Sequence, residues 1–199
     1  MKKYTKLVLV GLLTFGSLNL NAKEIFNLKA QDFQYTLEKE KNAKYKVGDV
    51  VVETNLVKSS KTSPGNYLSN GHFNLESIQP LKSWTLNTEL RYHFSYNSSD
   101  LKRFVRLTSD QGENFIIEFF HTGFNINGKQ FKADVEDQLL LLNITKKDKK
   151  LIIKLNNQTL FNNMVNLDNL KYIDSNFYFK DSYSNRFDTL HKLNLISHD

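Results

Sequence analysis

Apolar and polar residues alternate without a break across residues 84–96. Trp84, Leu86, Leu90, Tyr92, Phe94 and Tyr96, with Thr88 among them, fall on one face. Thr85, Asn87, Glu89, Arg91, His93 and Ser95 fall on the other. Period two over this length predicts a long strand with one buried face. The same pattern predicts further strands over 103–108, 114–120, 139–145, 151–155, 176–180 and 188–197, with earlier ones over 47–57 and 71–78. Turn chemistry separates them. Asp110-Gln111-Gly112-Glu113, Asn125-Ile126-Asn127-Gly128-Lys129 and Lys146-Lys147-Asp148-Lys149 each divide two apolar runs, and Asn156-Asn157 leads into Thr159-Leu160-Phe161. Residues 58–66 read as a loop. Residues 23–46 are charged and mixed, and are expected to be an exposed loop or a short helix. Many short antiparallel strands with almost no helical periodicity predict an all-β fold, an antiparallel β-sandwich or jelly roll.

The first 22 residues follow a different rule. Lys2, Lys3 and Lys6 precede an apolar run over residues 7–15, and Leu18-Asn19-Leu20-Asn21-Ala22 ends on a small residue. This is the pattern of a cleavable secretory signal peptide. The run is too short to span a bilayer, which takes roughly 20 apolar residues. With no Cys at the cut, a lipid anchor is excluded. The expected organisation is therefore a leader, 1–22, and a single β-jelly-roll domain, 23–199, that is monomeric and carries no membrane span after cleavage. Removing the leader takes Lys2, Lys3 and Lys6 but no acid, so the formal charge falls from +6 to +3. The remaining bias suits an acidic polymer without demanding one. The Lys- and Asn-rich composition looks bacterial, which points to a periplasmic or secreted protein. Export disfavours nucleic acid as a partner.

The absence of Cys excludes a disulfide scaffold and thiolate metal sites. The five His residues contain no His-x-x-x-His pair, so zinc is not expected. Asp134-Val135-Glu136-Asp137 is the one acidic run that could hold Ca²⁺, but it lacks the glycine pattern of a calcium loop. No Gly-rich phosphate loop and no Gly-x-Ser-x-Gly elbow occur. Neither a cofactor nor a metal is expected.

Charge does appear inside strands. Glu89, Arg91 and His93 share a face, and Arg106, Glu118 and Lys154 interrupt otherwise apolar runs. Two readings stand side by side: a solvated outer sheet face with cross-strand ion pairs, and a sheet face that grips a sugar chain.

Several strings resemble the alginate lyases of polysaccharide lyase family 7, which have a concanavalin A-like jelly roll. Asn176-Phe177-Tyr178-Phe179-Lys180-Asp181-Ser182-Tyr183-Ser184-Asn185 is similar to the family's Tyr-Phe-Lys-Ala-Gly-x-Tyr-x-Gln motif, one residue shorter before Tyr183. Phe187 to His198 resembles its last strand, which also ends near a Ser-His pair, and Leu151 to Leu160 resembles a strand–turn–strand hairpin of this fold. Phe26-Asn27-Leu28 through Leu37 is similar to its opening. Asn87-Thr88-Glu89-Leu90-Arg91 resembles the Arg-Thr-Glu-Leu-Arg motif, with Asn in place of the first Arg; a second register puts that strand near His72 to Glu76. The family's Gln-Ile-His falls on Arg106-Leu107-Thr108 in one register and on Phe119-Phe120-His121 in another.

The resemblance implies β-elimination on an acidic polysaccharide such as alginate. That reaction needs donors to neutralise the uronate carboxylate, a base for the acidified ring proton, and an acid for the leaving oxygen. By resemblance Tyr183 is the acid, or acid and base, and Arg91, with Asn87 or Arg106, holds the carboxylate. His121, or His93 on the polar face, is the candidate base, while Lys180 and Glu89 line the cleft. The plainer readings are a rim aromatic for Tyr183, a cross-sheet pair for Arg91 and Glu89, and ordinary surface histidines. The glucanase pattern of carboxylates two residues apart on one strand is absent. The alternative function is a non-catalytic glycan-binding or cell-envelope interaction domain of the same fold.

Overall fold

In the computed structural model the described residues are 22–29, 43–47, 50–56, 68–78, 80–92, 103–175 and 189–199. They form two antiparallel sheets packed face to face. The smaller sheet has six strands in the order β1 (Lys23–Lys29), β14 (Thr189–Ser197), β5 (Trp84–Arg91), β10 (Leu140–Lys147), β11 (Lys150–Leu155) and β12 (Gln158–Met164). The larger has eight, in the order β2 (Ala43–Val47), β3 (Val50–Leu56), β4 (Leu68–Asn74), β13 (Leu170–Ser175), β6 (Arg103–Ser109), β7 (Asn114–Phe120), β8 (Gly123–Ile126) and β9 (Lys129–Lys132). One 3-10 turn, Glu76–Ile78, follows β4. No helix among the described residues is long and apolar enough to cross a membrane. Residues 1–21 of the expected leader, 1–22, and the expected strand 176–180 lie outside the described residues.

Alternation in the sequence becomes alternation in burial. Along β5, Trp84, Leu86, Thr88 and Leu90 are buried while Thr85, Asn87 and Glu89 are half-buried and Arg91 is exposed. β6 and β7 repeat the pattern from the other side of the core. The sheets meet through aromatic contacts. Phe26 of β1 stacks on Phe73 of β4 at 5.6 Å, Tyr92 lies 5.0 Å from Phe119, and Phe115 meets Phe161 edge-on at 5.2 Å. Fully burying a side chain of this size contributes about 1.5–3 kcal/mol.

Two turns show why particular residues are needed. Asn127 and Gly128 both have positive φ, 45° and 89°, and close the β8–β9 hairpin as an Asn-Gly turn. Asn156 and Asn157, at 47° and 68°, do the same between β11 and β12. Gly123 starts β8 so close to β9 that an added Cβ would sit 2.0 Å from the Phe131 carbonyl oxygen.

The structure departs from the sequence expectation in several places. Residues 23–29 form a strand, because Phe26 and Leu28 alternate inward and β14 supplies the ladder. Ala43–Val47 is likewise a strand, paired with β3. The end of the expected strand 71–78 is a 3-10 turn. Lys146 belongs to β10 and is buried at 1% exposure, its ammonium bound to the Asp148 carbonyl and 3.3 Å from Asp168.

Candidate functional site

The outer face of the eight-stranded sheet carries a polar row that no single stretch of sequence contains. Cross-strand pairing sets His72 of β4 opposite Asp174 of β13, and Asp174 opposite Arg106 of β6. All three side chains point away from the core, since their strand neighbours Phe73, Ile173, Val105 and Leu107 are buried. Asp174 is the centre of the row. Its Oδ1 lies 2.6 Å from His72 Nδ1, and its Oδ2 accepts from Arg106 Nε at 3.3 Å. Asp174 is 19% exposed, while His72 and Arg106, at 36% and 41%, are open to solvent.

This geometry fixes chemistry. A carboxylate only accepts, so Nδ1 of His72 carries the proton shared with Asp174, which leaves Nε2 as the ring nitrogen facing away from the carboxylate. Arg106 uses Nε on Asp174 and keeps its terminal N–H groups for an anion. Aromatic rings flank the row on both sides. Tyr172 lies 4.9 Å from the His72 ring, and Phe104 sits beneath the Arg106 guanidinium at 5.3 Å. Beyond Tyr172, Lys171 pairs with Glu76 at 2.5 Å and lies 5.0 Å over the Tyr172 ring. The hydrogen bond from Lys171, and then that from Asn74, holds the Glu76 carboxyl below the usual carboxylate range. The same bond to Glu76 raises the Lys171 ammonium.

The residues expected from sequence are divided among three places. Arg106 belongs to the row just described. Asn87, Glu89 and Arg91 lie on the outer face of the other sheet, so the sandwich core separates them from Arg106. His121 sits in the β7–β8 turn, half exposed, with Nδ1 at 2.8 Å from Glu136. Glu136 in turn bridges to Tyr92, one residue past Arg91. One cleft therefore does not gather Arg91 and Arg106. Tyr183, His93 and Lys180 lie outside the described residues. The acidic run 134–137 does not converge: Val135 enters the core, and no group of three or more His, Asp or Glu suited to a metal forms among the described residues.

Sequence reasoning did not single out Asp174, Tyr172 or Phe104. β13 escaped because a bulge between Leu170 and Tyr172 breaks its period-two signal. His72 was approached only through the second register of the Thr-Glu-Leu-Arg motif. The two registers fall on different sheets: His72 is on β4, a neighbour of β13, which is paired with β6, whereas Asn87–Arg91 is on β5 of the six-stranded sheet.

No protein-family model matches this sequence, and no curated protein matches it. Solved structures do match in fold. A sialidase of Trypanosoma rangeli is superposable with a TM-score of 0.58 at 7% identity, over 87% of this chain and 30% of the sialidase. This chain thus spans about a third of that protein's length. A structure described as a native glycosidic hydrolase matches at 0.50 and 9% identity, over 87% of this chain and 95% of its own. An alginate lyase of polysaccharide lyase family 7 matches at 0.46 and 12% identity, over 89% and 91%. At such identities the likeness is one of fold alone: an all-β jelly-roll sandwich.

Proposed function

We propose that the protein is an exported lyase acting by β-elimination on an acidic polysaccharide such as alginate, with its site on the outer face of the eight-stranded sheet. The observation that carries this reading is the His72–Asp174–Arg106 row. It supplies two of the three groups the reaction needs, on the two strands that flank β13. Arg106 neutralises the uronate carboxylate, which acidifies the neighbouring ring proton. His72 Nε2, oriented through Nδ1 by Asp174, takes that proton. Tyr183, on the segment that follows β13, is the proposed acid for the leaving oxygen. Tyr172 and Phe104 offer ring faces for sugar stacking. Jelly-roll neighbours that act on carbohydrates support a glycan as ligand.

Incubation with polyuronates, followed by ultraviolet absorbance of the unsaturated product, is the direct test. His72→Ala is expected to lower the rate by about 10²–10⁴-fold, the usual contribution of a general base. Arg106→Ala is expected to cost on the order of 10²-fold, and Tyr183→Phe to abolish turnover. Full activity in the His72 variant sinks the assignment. Binding without product at any enzyme concentration selects the non-catalytic glycan-binding alternative, which the loss of both Gln and His at Arg106-Leu107-Thr108 favours.

A further inference from the structure

The six-stranded sheet has its own groove on the face opposite the His72 row. It encloses about 390 Å³, within the range of about 300–1,000 Å³ typical of small-ligand sites. Its floor is a line of amides. Asn143 Nδ2 donates to Asn87 Oδ1 at 2.6 Å, Asn87 Nδ2 to Asn194 Oδ1 at 3.4 Å, and Asn194 Nδ2 to Glu24 Oε2 at 2.9 Å. Glu24 sets the direction of the line. Its carboxylate can only accept, so Asn194 must present its NH₂, and each amide behind it is oriented in turn. Thr145 donates to the other end, at Asn143 Oδ1, 3.3 Å away.

A fixed amide line presents defined chemistry to the groove. Asn87 and Asn143 each retain a second N–H and a second oxygen lone pair, which is the alternation of donors and acceptors that sugar hydroxyls match. The walls are basic. Lys154 is the cross-strand partner of Asn143 on one side, and Lys192 lies opposite Glu89 on the other. Leu141, 41% exposed, gives an apolar patch for a ring face. The β11–β12 turn closes one end. Asn156 accepts from the Leu141 N–H through its side chain at 2.8 Å and donates its own N–H to the Leu141 carbonyl at 2.9 Å. This pins Asn157 at the rim.

We infer that this groove is a second saccharide subsite, for a unit bearing a carboxylate or sulfate, so that one molecule engages acidic glycan on both faces of its sandwich. Among the residues that line the groove, Lys154 and Lys192 stand against Glu89 alone, which favours an anionic over a neutral sugar. The inference rests on the reading of the protein as an acidic-glycan protein, but not on its being a lyase.

The test is an amide chemical-shift titration of the protein with a short oligouronate, with a neutral oligosaccharide as control and product absorbance read in parallel. Expected are shifts at the backbone amides of Asn143 and Asn157 and the side-chain amides of Asn87 and Asn143, separate from those at Asp174. The double variant Lys154→Glu, Lys192→Glu is expected to weaken the groove response at least about tenfold, and to leave the response at Asp174 intact. Both lysines are outside the core, so the variant keeps the fold; Asn143→Ala removes the floor as a second check. Shifts confined to the Asp174 face overturn the second subsite and leave the proposed function standing. Groove shifts with no product overturn the lyase and support the subsite. An unchanged affinity in the charge-reversed variant, or equal binding of the neutral sugar, overturns the anionic subsite, and silence at both faces overturns both proposals.

Discussion

Asp174 joins two residues that are distant in the chain, His72 102 positions before it and Arg106 68 before it. Neither could orient itself on an open sheet surface. The carboxylate fixes the tautomer of one and the reach of the other. Asp174→Asn is therefore expected to lower polyuronate turnover nearly as far as His72→Ala, while a glycan-binding role alone would leave affinity changed and no rate to lose. Beside this row, the Glu76–Lys171 pair makes a pH prediction. The glutamate is depressed, so its stabilisation is present above the ordinary carboxyl value of ~4.3 and is lost as pH falls through the folded value. The lysine is raised, so its share is present below ~10.4 and is lost as pH rises through the folded value. Glu76 is exposed and Lys171 half-buried beside it, so solvent screens the pair and the effect is small. Glu76→Gln should lower the neutral region of a melting-temperature profile slightly and leave its acid end unchanged, which flattens the acid limb. Lys146 is the opposite kind of residue, a cation buried at the end of β10. Lys146→Met keeps the stem and removes the charge. Because the Asp148 carbonyl and Asp168 then lose their donor, denaturant unfolding should find the variant destabilised, by about 1–3 kcal/mol.

At the scale of elements, hairpins explain why most strands were legible. β6–β7, β10–β11 and β11–β12 are adjacent in sequence, and their turns carry Gly, Asp or Asn where positive φ is required. The β8–β9 hairpin depends on the absence of a side chain at Gly123. Gly123→Ala pushes a Cβ into the Phe131 carbonyl, against backbone that cannot yield cheaply. A loss of about 2–4 kcal/mol is expected by denaturant melting. A variant with unchanged midpoint would mean that β9 is not held as described. β1 and β13 were missed for different reasons. The alternation in β1 is short and framed by Lys23, Glu24 and Lys29, while that of β13 is interrupted by its bulge.

Over the whole molecule, stability depends on contacts that close the chain on itself. β1 pairs with β14 at the far end of the sequence, and Phe26 carries that edge of the small sheet onto Phe73 of the large one. Phe26→Ala should cost about 3–5 kcal/mol and loosen both ends together, which hydrogen exchange along β1 and β14 would report. If exchange in β14 stayed at the wild-type rate, the strand would be held by β5 alone.

The sequence by itself determined that the chain is all-β, where most strands lie and which faces they bury. These are local properties, written in a two-residue period and in turn chemistry. Which strands become neighbours was decided only in three dimensions. Pairing of β4, β13 and β6 assembles His72, Asp174 and Arg106, and the order β14-β5-β10 lines up Asn194, Asn87 and Asn143. The same packing sends Arg91 and Arg106, expected to act together in one cleft, to opposite faces. Period two says whether a side chain points in or out, but both outer faces are "out"; only the assignment of strands to sheets tells one from the other.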